Sequence, residues 1–98
     1  MAEVRIASAA HKDIENITDY YETVHSGLSH QFLTCFEAAI ESIERHPLLA
    51  NDIEDGLTWV RIHRFPHKLV FRYNQDSDTA LILGVFHHRQ NPSKWKIR

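Results

Sequence analysis

The 98-residue chain holds one cysteine, three glycines and three prolines. No apolar run approaches the ~20 residues that cross a bilayer, so no membrane span is expected. Cys35 cannot form an intrachain disulfide; in its apolar helical setting it reads as a buried structural thiol. The start, Met1-Ala2-Glu3-Val4-Arg5, lacks the basic-then-apolar order of a signal peptide, and the cytoplasm is the expected compartment. Eight histidines invite a zinc site. Yet His63 and His67 straddle Pro66 and no cysteine pair accompanies any histidine, so neither a metal nor another cofactor is expected. Internal repeats, linkers and low-complexity segments are also missing. Residues 1–98 read as one domain, because neither half alone would bury enough apolar surface to fold.

An overall basic excess is lacking too: the formal net charge is −2 with histidines neutral. Proteins that grip nucleic acid through phosphates usually carry such an excess. The charge is, however, unevenly placed. Gly56 to Arg98 contains eight of the eleven Lys/Arg and only Asp76 and Asp78 of the thirteen acids. A basic C-terminal half on an acidic support suits an anionic partner, whether nucleic acid or acidic protein segment.

Hydrophobic periodicity supplies the elements. Val4 and Ile6 alternate with polar neighbours in a short strand over Glu3–Ala7. Ser8 is placed to cap a helix. Ile14, Ile17, Tyr21 and Val24 form one stripe of that helix, which His25-Ser26-Gly27 ends. A second helix carries Leu28, Phe32, Cys35, Phe36, Ala39, Ile40 and Ile43 on one face and Glu37, Glu41, Glu44 and Arg45 on the other. Pro47 stops it. So short a link implies an antiparallel helical hairpin. After a polar, irregular stretch from Asn51 to Gly56 the period becomes that of strands. Thr58–Phe65 and Lys68–Asn74 flank Pro66-His67, read as a tight turn. Asn74–Asp78 is a second turn, and Thr79–His88 a third strand of this block, where Gly84 marks either a bulge or a close approach of another backbone. The expected class is α+β: an N-terminal strand and a helical hairpin packed on an antiparallel sheet, in the order β-α-α-β-β-β.

Four segments share features with a known group of proteins: AHKDIENITDYY (10–21), the helix end up to His46-Pro47, the hairpin WVRIHRFPHKLVFRY (59–73), and the closing FHHRQNPSKWKIR. In this order they resemble the RelE/ParE toxin superfamily of type II toxin–antitoxin systems over nearly the whole chain. The H-x-R-x-N-P-x-x-W ending is similar to that of ParE-like plasmid stabilisation proteins. The resemblance implies a toxin neutralised by a cognate antitoxin, whose C-terminal segment wraps it.

Two activities occur on this fold: ribosome-dependent messenger RNA cleavage, and inhibition of DNA gyrase. Cleavage needs a base for the ribose 2′-hydroxyl, a cation for the phosphate, and an acid for the leaving oxygen. The nuclease slots fall on Lys68, on Arg89 or His88, and on Trp95. Indole is a donor only and cannot exchange a proton, which favours the gyrase reading. His87 or His88 remains an alternative acid or base. A non-toxic antitoxin-binding module is the third reading. The partner-binding surface is expected at Arg61, Arg64, Lys68, Arg72, His87, Arg89 and Trp95. The blander alternatives are solvated strand arginines and packing tryptophans. His87 and His88, adjacent on a strand, are expected to point to opposite faces.

Overall fold

The computed structural model describes residues 1–52 and 56–90. The elements run β1 (Glu3–Ile6), α1 (Ser8–Val24), α2 (Leu28–Arg45), β2 (Asn51–Asp52), β3 (Leu57–Arg61), β4 (His67–Asn74) and β5 (Thr79–His87). One sheet orders them β1-β5-β4-β3-β2. It is antiparallel from β2 to β5, as expected, with β1 added in parallel to β5. This is the expected α+β arrangement, with β2 as a short extra edge taken from the stretch read as irregular.

Ser8 does not cap α1. The cap is Ala7, without a side-chain bond, and Ser8 is already helical. Ala7 is fixed instead from the sheet, its N–H donating to the Ile82 carbonyl at 2.9 Å. Gly27, at φ 87°, lets the chain reverse into α2 in the left-handed region, where a Cβ would be strained. The α2 stripe is as periodicity predicts: Phe32, Phe36, Ala39 and Ile43 are buried, one above another on a single face. Cys35 packs beside them but is only half-buried. Val24, the last residue of α1, is exposed and does not continue the buried stripe.

The apolar run of β5 serves two layers. Val70 pairs with Gly84 but Phe71 with Ile82, so Leu83 is an extra residue at the Gly84 bulge. The bulge switches side-chain parity. Ala80, Ile82 and Val85 therefore all face the helices, while Leu83 and Phe86 join Leu57, Val70 and Trp59 on the opposite face.

The β3–β4 connection is longer than the tight turn read at Pro66-His67. Strand pairing stops at Arg61↔Lys68, and Ile62 to Pro66 form a loop closed by the Ile62 N–H donating to the His67 carbonyl. Apolar side chains within the loop explain it. Ile62 is fully buried and Phe65 nearly so, drawn under the helices rather than kept in the ladder. Phe65 lies 5.1 Å, ring centre to ring centre, from both Tyr21 and Phe32. A turn at Pro66-His67 would have set Arg61 against Arg72; the loop instead sets it against Lys68.

Candidate partner-binding site at the start of β4

That register gathers the cations. Lys68 and Arg61 are cross-strand neighbours on the face away from the helices, and Trp59, two residues before Arg61, lies on the same face. The Lys68 ammonium sits 4.2 Å from the Trp59 ring centre, a cation–π contact that holds the amine at the sheet surface. Arg64 reaches the same place from the loop, at φ 71°, a conformation costly for a residue with a Cβ. His88 closes the other side; its backbone N–H donates to the Pro66 carbonyl at 2.8 Å, and its ring Nδ1 lies 3.2 Å from the same oxygen. The result is a cleft of about 560 Å³ walled by Trp59, Arg61, Arg64, Pro66, Lys68 and His88, with Phe65 and His67 beneath. Among the described residues none of its lining groups is acidic. It can hold an anion against an aromatic floor.

Three imidazoles meet beside it. The His67 ring is 5.4 Å from that of His87, edge to face, and His87 stacks on His88 at 4.5 Å. The expected opposite orientation of His87 and His88 fails because β5 ends at His87, and the chain turns before strand alternation can separate them. The Arg89 N–H donates to His87 Nδ1 at 3.1 Å, which keeps that nitrogen an acceptor. His67 is 7% exposed and, among the described residues, its Nδ1 has no hydrogen-bond partner. Burial, reinforced by His87 and His88, holds its pKa down at about 4. Burial and the neighbouring His88 and Arg89 also lower that of His87.

Of the residues singled out from sequence, Arg61, Arg64, Lys68 and His88 share the cleft. His87 lies behind it, toward α1. Arg89 is exposed just past β5 and is not part of the cleft lining. Arg72 is at the far end of β4, beside Gly56 and the β4–β5 turn. Trp95 lies outside the described residues. Trp59 and His67 were missed as site residues. Their place follows from the β3–β4 register, whose sequence signal was the apolar pair Ile62 and Phe65 inside a supposed strand end.

The family model for the ParE toxin of type II toxin–antitoxin systems (parDE) matches residues 4–92. No curated protein sequence matches the chain. Solved structures with the same fold include the RelBE2 toxin–antitoxin complex of Mycobacterium tuberculosis, 22% identical over 88% of this chain and 96% of that one, with a TM-score of 0.61. The chromosomal ParDE system of P. aeruginosa is 16% identical, with coverages of 89% and 96% and a TM-score of 0.64. The intact E. coli RelBE complex is 11% identical, with coverages of 92% and 100% and a TM-score of 0.62.

Proposed function

The chain belongs to the ParE toxin family of type II toxin–antitoxin systems, and from that premise we propose that it arrests growth in the cytoplasm by inhibiting DNA gyrase. A cognate antitoxin neutralises it by covering the cleft at the start of β4. The observation that carries this reading is the makeup of the cleft. Arg61, Arg64 and Lys68, guanidinium and ammonium groups, are set around an aromatic and a histidine. Such a surface recognises an acidic partner without needing to transfer protons. Inhibition by binding asks for nothing more.

One observation favours the nuclease reading as second choice: Lys68 and His88 line one cleft. A lysine for phosphate charge beside a titratable imidazole is two thirds of what 2′-hydroxyl attack requires. Arg89, the third residue of that set, is outside the lining.

Purified gyrase supercoiling run beside ribosome-dependent message cleavage decides between the two. Inhibited supercoiling with intact message is the expected result. Cleaved message with normal supercoiling would overturn it and make Lys68 and His88 candidate catalysts. If neither activity is found but the antitoxin still binds, the chain is a non-toxic antitoxin-binding module.

A further inference from the structure

The two histidines at the end of β5 make opposite demands on a proton. The Arg89 N–H donates to His87 Nδ1 at 3.1 Å, so that nitrogen must be bare and the ring proton sits on Nε2. His88 Nδ1 faces the Pro66 carbonyl at 3.2 Å and must carry a proton to bond it. An imidazolium still satisfies the His88 contact, because both of its nitrogens donate. It cannot satisfy the His87 contact, where two N–H groups would face each other.

His87 also closes the turn that carries its neighbours. Its N–H donates to Gln90 Oε1 at 2.7 Å, and its carbonyl accepts from the Gln90 N–H at 2.9 Å. The turn is tied to the hairpin loop by His88, whose N–H donates to the Pro66 carbonyl at 2.8 Å. Because His88 is a wall of the basic cleft, the turn holds that wall in place.

Most groups around the His87 ring oppose a further charge. His67, edge to face at 5.4 Å, and His88, stacked at 4.5 Å, would lie beside it. Arg89 follows in the chain, and Arg64 and Lys68 stand on the cleft side. From α1 come neutral Asn16, Ile17 and the phenols of Tyr20 and Tyr21. The same helix brings one carboxylate, Asp13, whose Oδ2 accepts from the Val85 N–H at 3.0 Å. From α2 comes Phe32, against His67. Burial first, then His88 and Arg89, hold the His87 pKa below the ordinary histidine value.

We propose that the turn after β5 is an acid-operated latch on the cleft. A solvent proton taken up at His87 Nδ1 expels the Arg89 N–H, the turn opens, and His88 leaves the Pro66 carbonyl. In the opened turn His87 is an exposed imidazole, with a pKa of about 6.5. The closed turn refuses a proton that the opened one accepts, so closure is complete above that value and weakens as pH falls. The latch belongs to the chain itself and acts on the cleft whichever target fills it. It stands apart from the gyrase and antitoxin readings.

Amide NMR of the purified full chain, titrated from about pH 8 to about pH 5, tests it. The Arg89 amide should lose exchange protection in step with titration of the His87 ring, and the His88 amide should follow. The loss should reach up to about tenfold per pH unit below about pH 6.5. Amides of Phe36 and Ala39 in α2 should stay protected throughout, as a local opening requires. His87→Asn sets an amide oxygen near the place of Nδ1, an acceptor that does not titrate. Its Arg89 protection should stay level over the same range. Arg89 and His88 amides that ignore the His87 titration would overturn the proposal. So would loss of the α2 amides in the same step, or an unaltered acid step in His87→Asn.

Discussion

At the scale of single residues, the site holds two side chains in unfavourable states. His67 is kept neutral. Its pKa is near 6.5 when exposed and about 4 in the fold, so between these values the unfolded chain takes up a proton that the folded chain refuses. Stability is therefore full above pH 6.5 and declines as pH falls toward 4, by up to about 3 kcal/mol. Chemical denaturation at stepped pH should show this slope in wild type and its loss in His67→Phe. Arg64 is the other case. At φ 71° its Cβ is strained, a cost glycine would not carry. Arg64→Gly should leave stability unchanged or raise it by up to about 1 kcal/mol. Arg64→Val should lower stability by about 1–2 kcal/mol, because a β-branched side chain tolerates that region least. Both should weaken the antitoxin complex. A fold that tolerates strain at an exposed arginine, in a loop facing a cleft, is consistent with a binding role for that arginine.

At the scale of elements, the bulge in β5 and the loop before β4 decide what the site contains. Pairing with β1 ends at Ile82, and beyond it the open side of β5 is met by α1. The Val85 N–H donates to Asp13 Oδ2 at 3.0 Å. This bond ties the first helix to the bulged strand just before His87. Asp13→Ala should cost about 1–3 kcal/mol by leaving a partly buried donor unpaired, whereas Asp13→Asn, which keeps an acceptor oxygen, should recover most of it. Urea unfolding of the two variants checks the difference. The loop is held by burial rather than by turn chemistry: Ile62 and Phe65 anchor both of its ends under the helices. Arg64 is thereby presented from a fixed frame.

Over the whole molecule, charge is segregated. The helices carry most of the acids, and the cleft at the start of β4 carries Arg61, Arg64 and Lys68. Exposed charges of this kind steer association and are screened by salt. Charge reversal at Arg61 or Arg64, and to a lesser degree at Arg89, should weaken growth arrest or antitoxin binding while the domain stays folded. The wild-type complex should weaken as ionic strength rises, with a smaller salt effect in the reversed variants. Unchanged arrest and unchanged affinity in all three would remove this surface from the mechanism. No helix among the described residues is long and apolar enough to cross a membrane.

By itself the sequence determined the order of elements apart from the two-residue β2, the buried stripe of α2 and the basic character of the second half. Each of these is local: a helix stripe repeats every three to four residues, and charge is counted along the chain. A glycine inside an apolar strand left two readings open, a bulge or a close backbone approach, and the pairing of β4 on β5 decided for the bulge. Tertiary structure alone decided the register of β3 on β4, and hence the meeting of Arg61, Lys68 and Trp59. It likewise decided the parallel seat of β1 and the stacking of His87 on His88. The physical reason is common to these three. Burial of Ile62 and Phe65 beneath distant helices overrode the short turn that Pro66 suggests. Partners for β1, and the point where β5 stops, depend on elements far apart in sequence, to which no local period refers.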